Sequence, residues 1–105
     1  MSRLYYILEG KELKPVDDFL EWARWFETAN RRVAETILPD NVCVSTVFLG
    51  IDHSFGGAVP LLFETMIFGG EYDEYQERYP TWKAAKAGHR KAVKMAKHLL
   101  KKESK

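Results

Sequence analysis

The sequence has one cysteine, Cys43, in 105 residues. A single cysteine excludes a disulfide framework within the chain and fits a reducing cytoplasm, and its place in an apolar run predicts a core position. No apolar run approaches the ~18 residues that a membrane span requires, and the apolar patch at residues 4–8 is too short for a secretory signal. We therefore expect a soluble, cytoplasmic protein with no membrane partner.

The sequence also lacks the motifs that indicate catalysis or a bound cofactor. It has no glycine-rich phosphate loop, no His/Cys/Asp/Glu spacing typical of a metal site, and no nucleophile motif. We therefore predict no catalytic residue, no metal and no cofactor, and we favour a protein that is not an enzyme.

Charge is divided unevenly along the chain although the net charge is only +1. Nine of the 16 basic residues and one of the 15 acidic residues lie from Trp82 onward, which gives this segment +8 and the preceding residues −7. Such a segment can bind an anionic partner, complement an acidic neighbouring subunit, or form a solvated helix face. Nucleic acid is not the expected partner, because no motif that reads a nucleic-acid groove accompanies the lysines.

Hydrophobic periodicity predicts an α+β fold: an antiparallel sheet of about four to five strands with two helices packed on it. We expect one domain over residues 1–105, a frayed basic tail at 102–105, and a homo-oligomer, because a chain of this length buries little surface alone. The strand-like runs are residues 4–8, 13–16, 31–37, 42–49 and 61–68, and the helix-like segments are about 17–30 and 81–101. The carboxylates of Asp17 and Asp18 can cap the first helix, and Thr81 is the expected N-cap of the second.

Two of these runs have polar residues at their centres, where a fully buried strand would be apolar. Ser45 and Thr46 interrupt the run at 42–49, and Glu64 and Thr65 interrupt the run at 61–68. Antiparallel pairing would place these centres near one another, with Glu64 in reach of a hydroxyl group. Alternatively, Glu64 lies on the solvent face of the sheet.

The two runs are joined by a polar loop that contains Asp52, His53, Ser54 and Phe55. This loop is the first candidate for a ligand site. A rigid strand fixes the root of such a loop, and the glycines after Phe55 permit close approach of a ligand to the backbone. His53 can donate to a phosphate, stack on a base or transfer a proton. The alternative is that Asp52 and His53 only fix the loop through hydrogen bonds to its backbone.

Arginines with nearby aromatic residues complete the predicted ligand site, because a guanidinium group matches phosphate and an aromatic ring stacks on a base. His89 lies in the apolar stripe of the second helix and is expected in the core, and Gly88 suggests close packing there. The predicted ligand-binding residues are Asp52, His53, Ser54, Phe55, Gly56, Glu64, Thr46, Arg32, Arg78 and Tyr79.

The chain resembles a family of short phage-encoded proteins of unassigned function. The resemblance rests on VSTVFLGIDHSFGG, PLLFETMIFGG, RYPTW and AGH, and it extends over nearly the whole sequence. It implies a protein made in the cytoplasm of an infected bacterial cell, and it implies no catalytic residue. The chain departs from the family pattern at Lys83 and Lys86, where relatives tend to have acidic residues, so the resemblance assigns no role to this basic helix face.

Three functions are compatible with these features. We favour a non-enzymatic phage accessory protein that binds and sequesters a small anionic host signal, such as a cyclic nucleotide or an ADP-ribose derivative, and so acts against host defence. The second is an inhibitor or adaptor that binds a host protein through Trp25 and the tyrosine-rich segment 71–79. The third is a small nucleotide hydrolase that uses His53, Asp52 and Glu64 as acid–base groups.

Overall fold

The computed structural model describes residues 4–103, with side chains up to His98. The predicted α+β class is confirmed, but the six strands divide into a two-stranded sheet of order β1-β2 and a four-stranded sheet of order β3-β4-β5-β6. All strand pairs are antiparallel. The elements are β1 Tyr5–Glu9, β2 Glu12–Val16, α1 Phe19–Thr28, β3 Arg32–Leu38, β4 Val42–Phe48, β5 Phe63–Phe68, β6 Gln76–Tyr79 and α2 Trp82–Glu103.

Helix α2 covers one face of the four-stranded sheet. It starts as predicted with Thr81 as N-cap, whose hydroxyl accepts from the amide of Ala84 at 3.1 Å. The residues that α2 turns toward the sheet are small, so that helix and sheet approach closely, and they include Ala85, Gly88, Ala92 and Ala96. Of the predicted frayed tail, residues 102 and 103 belong to α2, and residues 104 and 105 lie outside the described residues.

Strict alternation along β4 separates a covered face from an uncovered face of the sheet. Val42, Val44, Thr46 and Phe48 are buried on the side of α2, and the residues between them are half-buried on the opposite side. We call these the inner and outer faces. Cys43 lies on the outer face between Ile37 of β3 and Phe68 of β5, so its predicted core position is wrong.

Helix α1 packs on the β1–β2 hairpin at one end of the sheet. Asp18 caps it by accepting from the amide of Leu20 at 2.9 Å, and the indole of buried Trp22 donates to the carbonyl of Tyr6 at 3.1 Å. Gly50 permits this packing, because its φ is +78° and a Cβ there would lie 3.1 Å from the Phe26 ring. The hairpin and α1 therefore hold the root of the loop after β4.

Trp25 of α1 is part of the core. Its ring contacts the fully buried Phe48 ring edge-on, with the centroids 5.8 Å apart. The Trp25 side chain is only half-buried, and its role as an anchor for a partner protein stays a prediction. Among the described residues, no helix combines the length and the apolar character needed to cross a bilayer.

Candidate functional site

The loop between β4 and β5 is held together by Asp52. One carboxylate oxygen accepts from the amides of Ser54 at 2.7 Å and Leu61 at 3.0 Å, and the other accepts from the Ser54 hydroxyl at 2.9 Å. Desolvation raises the pKa of Asp52, but the hydrogen bonds from Ser54 and Leu61 together lower it below its ordinary value. The Asp52 carboxylate is thus ionised and engaged within the loop.

His53 and Phe55 are the parts of this loop that face outward. The Nδ1–H group of His53 donates to the carbonyl of Ile51 at 2.8 Å, which fixes the ring. Phe55 is 86% exposed and adopts a φ of +53°, which is unusual for a residue with a side chain. Gly56 follows with a φ of +90°. The predicted loop residues therefore stay together, with His53 and the Phe55 ring at the surface.

Glu64 lies near the start of β5, on the outer face of the sheet. Its carboxylate accepts from the guanidinium Nε of Arg78 at 2.9 Å and from the side-chain amide of Gln76 at 2.5 Å. The Glu64 side chain is only 11% exposed, because the sheet and these two partners cover it. The partners of Glu64 are thus Arg78 and Gln76 rather than the expected hydroxyl group. Thr46 lies opposite Thr65 on the inner face, and Ser45 shares the outer face with Glu64.

Arg32 occupies a third location, at the start of the edge strand β3. It forms an ion pair with Glu35 at 3.0 Å, beside a shallow depression of about 520 Å³. The neighbouring Arg31 stacks on the ring of Phe26 at 3.9 Å from the centroid. The arginines are thus occupied by partners within the chain.

Thr46 and Tyr79, the remaining predicted ligand residues, lie on the inner face. The structure therefore distributes the predicted set over the loop, the outer face, the edge of β3 and the inner face. It does not bring the set together as one pocket. Within the described residues 4–103, no group of three or more His, Cys, Asp and Glu side chains is arranged to hold a metal ion.

A buried chain of polar side chains crosses the inner face beneath α2. His89 is only 6% exposed, and its ring nitrogens contact the hydroxyls of Thr36 at 2.9 Å and Thr46 at 2.8 Å. The Thr46 hydroxyl contacts that of Thr65 at 2.5 Å, and Thr65 is the diagonal neighbour of Tyr79 on the same face of the sheet. We call these five residues the His89 chain, in the order Thr36, His89, Thr46, Thr65 and Tyr79. It links the edge strand β3 to the opposite edge, β6.

A carboxylate terminates the His89 chain at β6. The hydroxyls of Tyr75 and Tyr79 donate to one oxygen of Glu77 at 2.6 and 3.2 Å. The hydrogen bond from Tyr75 lowers the pKa of Glu77, and Lys91 contributes in the same direction. Burial and then the neighbouring Glu77 raise the pKa of Tyr79. Glu77 is therefore an anion and Tyr79 a neutral donor at neutral pH.

The other end of the His89 chain opens into a groove between β3 and α2. This β3–α2 groove has a volume of about 380 Å³, and Thr36 and His89 line it together with Val93 and three cations of α2, namely Arg90, Lys94 and Lys97. Burial, and secondly Lys86, lower the pKa of His89, so its ring is neutral at neutral pH. The groove therefore combines a cationic side with a buried polar end.

The sequence contained a signal for this groove. Arg90, Lys94 and Lys97 recur at the spacing of one helix face, beside a histidine in the apolar stripe. The signal was missed because lysines at this spacing also describe an ordinary solvated face. Comparison of the chain with protein-family models, with curated proteins and with solved structures gives no match.

Proposed function

We propose that the protein is a non-enzymatic binder that takes a small anionic, nucleotide-derived ligand into the β3–α2 groove and sequesters it. The observation that carries this proposal is the side of the groove formed by Arg90, Lys94 and Lys97 next to the buried pair Thr36 and His89. Its volume of about 380 Å³ is in the range of small-molecule sites, roughly 300–1,000 Å³.

The spacing of the cations favours a ligand with more than one phosphate. Arg90 and Lys97 are seven residues apart on α2, which corresponds to about 10 Å along the helix axis. A single phosphate contacts one or two such side chains, whereas a pyrophosphate or two phosphodiesters can use all three. Together with the resemblance to phage proteins, this supports a host signal of the cyclic dinucleotide or ADP-ribose type, bound in the cytoplasm of an infected cell.

The positions of the acid–base candidates favour binding over hydrolysis. The oxygens of Asp52 accept three hydrogen bonds within its own loop, and Glu64 is paired with Arg78 on the outer face of the sheet. A hydrolase would need these groups and His53 around one reacting atom. The ligand is therefore expected to leave the protein chemically unchanged.

Calorimetry with ADP-ribose, cyclic di-AMP and cyclic AMP tests the proposal. We expect at least one of these probes to bind, and we expect Lys94→Glu to weaken its affinity by about tenfold or more, since one charge contact contributes about 1.4 kcal/mol. Lys83→Glu is the matched control, because Lys83 is an exposed lysine of the same helix that does not line the groove.

Two results would contradict this function. Equal losses in Lys94→Glu and Lys83→Glu would indicate a general charge effect rather than a site. Release of a converted nucleotide after denaturation, detected by mass spectrometry, would show that the protein is an enzyme.

An inhibitor or adaptor of a host protein is the second candidate function. Phe55 supports it, because the loop holds this ring 86% exposed at a positive φ, and buried aromatic anchors dominate protein interfaces. A pull-down from host lysate with the wild type and with Phe55→Ser tests it. Recovery of one stoichiometric partner that is lost in Phe55→Ser would favour the adaptor.

Self-association is a further expectation, and the outer face of the sheet supports it. Ile37, Cys43 and Phe68 form a cross-strand row there, with Ile37 70% exposed. Light scattering after size exclusion measures the oligomer directly. A mass that falls to that of one chain in Phe68→Ser would assign the contact to this row.

A further inference from the structure

The His89 chain has a single direction of hydrogen-bond donation, and Glu77 sets it. Because the Glu77 carboxylate can only accept, Tyr79 must donate its phenolic proton to it. The Tyr79 oxygen is then free to accept from Thr65, its diagonal neighbour on the inner face, and such a donation lowers the pKa of Tyr79. The proton of Thr65 is thereby used, so Thr46 must donate to Thr65.

The same logic fixes the tautomer of His89. Since Thr46 donates to Thr65, its oxygen accepts from His89, and the ring proton must lie on Nδ1. The neutral ring then carries a lone pair on Nε2, which accepts from the hydroxyl of Thr36 at 2.9 Å. The end of the groove therefore presents acceptors, the Nε2 atom and the Thr36 oxygen, while its cationic side attracts anions.

A fully ionised ligand offers only hydrogen-bond acceptors, and this end of the groove offers acceptors as well. One added proton removes this mismatch. If His89 gains a proton on Nε2, its Nδ1–H bond to Thr46 is kept, and the new N–H group donates to the Thr36 oxygen. The Thr36 hydroxyl is then free to turn and donate to the ligand. Protonation thus converts the end of the groove from acceptor to donor without disturbing the rest of the His89 chain.

The surrounding charges oppose this protonation until an anion is present. On α2, Lys86, Arg90 and Lys94 place positive charge near His89. The sheet contributes the hydroxyls of Thr36 on β3 and Thr46 on β4 to its ring, with Thr65 of β5 beyond Thr46. The nearest anion along the His89 chain is Glu77 on β6, beyond Tyr79. A bound anion would reverse the local field, since an opposite charge in contact favours the charged form of a histidine.

We infer that anion binding in the β3–α2 groove is coupled to the uptake of one proton by His89, so that the protein holds its ligand more tightly as the pH falls. This inference rests on the proposed function, because it needs an anion in that groove. For coupling to one proton, the affinity is expected to change by up to about tenfold per pH unit between the pKa of His89 in the free protein and its higher pKa in the complex.

Calorimetry in two buffers of different ionisation enthalpy measures the proton uptake directly. ADP-ribose and cyclic di-AMP are suitable probes, because their diesterified phosphates do not titrate near neutral pH. For the probe that binds, we expect the greatest proton uptake at about pH 7, between the pKa values of His89 in the free protein and in the complex, and a weaker affinity at about pH 8 than at about pH 6.

Two variants make the result specific. In His89→Gln the side-chain amide donates permanently toward Thr36, so binding should persist with no proton uptake and with an affinity independent of pH. His53→Gln replaces a histidine that does not line the groove and should behave as the wild type. Thermal melts of both variants check that they are folded.

The outcomes separate the two proposals. Binding with no proton uptake by the wild type, or with equal uptake by His89→Gln, would overturn the coupling and leave the proposed function standing. Failure of every probe to bind would overturn the proposed function and the coupling with it. In the free protein, nitrogen chemical shifts of the imidazole that place the ring proton on Nε2 would contradict the direction of the His89 chain.

Discussion

Replacing Gly88 with alanine is expected to destabilise the protein, although alanine is the better helix former. A Cβ at Gly88 would overlap the Cζ and hydroxyl atoms of Tyr79, whose ring lies directly against the backbone of α2. Tyr79 cannot move away at low cost, because its hydroxyl donates to Glu77. The close packing that the sequence suggested at Gly88 is therefore confirmed.

The expected size follows from two opposing contributions. The exchange of glycine for alanine in a helix interior gains about 1 kcal/mol. Overpacking costs about 1–3 kcal/mol, and displacement of Tyr79 costs about 1 kcal/mol for each hydrogen bond lost. We expect a net loss of about 1–3 kcal/mol in the free energy of unfolding, measured by urea denaturation.

A second background makes this prediction specific. In Tyr79→Leu the overlapping atoms are absent, so Gly88→Ala should become neutral or stabilising by up to about 1 kcal/mol. The double-mutant cycle should therefore give a coupling of about 1–4 kcal/mol between the two positions. Equal destabilisation by Gly88→Ala in both backgrounds would refute the argument that the contact with Tyr79 requires glycine.

Three further predictions concern the buried and loop polar groups. Thr46→Val should lower the free energy of unfolding by about 1–3 kcal/mol, because it removes the Thr46 partner of the His89 Nδ1 atom and of the Thr65 hydroxyl, whereas Thr46→Ser should cost less; urea denaturation compares them. Asp52→Ala should destabilise the loop by about 1–3 kcal/mol and raise its amide exchange rates, while Asp52→Asn keeps the acceptor for both amides. Because the folded pKa of Asp52 is lowered, the contribution of its carboxylate to stability is present at neutral pH and is lost as the pH falls through that lowered pKa. The stability of Asp52→Asn should therefore fall less steeply at acid pH than that of the wild type. The folded pKa of His89 is also lowered, so the ligand-free wild type should lose stability as the pH falls below about 6.5, the ordinary histidine value, and thermal melts of His89→Gln should lack this decline.

The sequence predicted the elements that depend on local patterns. The caps Asp18 and Thr81, the strand alternation and the small face of α2 all follow from residue type and spacing, and the structure contains them. The antiparallel approach of the polar strand centres was also correct for Thr46 and Thr65. These features depend only on residues within one element or on two strands that follow each other along the chain.

The site was harder to predict because it depends on which face each side chain takes. A shift of one residue in register moves a side chain to the other face of a sheet. Glu64 therefore lies on the outer face with Arg78, whereas its sequence neighbour Thr65 joins the His89 chain on the inner face. The β3–α2 groove joins residues 53 positions apart, Thr36 and His89, and no local pattern reports such a contact.

A crystal structure of the protein with the tightest-binding probe tests the central claim most directly. We predict density for the probe in the β3–α2 groove, with phosphate oxygens in contact with Lys94 and with the Thr36 hydroxyl turned toward the ligand. Density confined to the loop around His53 and Phe55, with an empty groove between β3 and α2, would contradict the account.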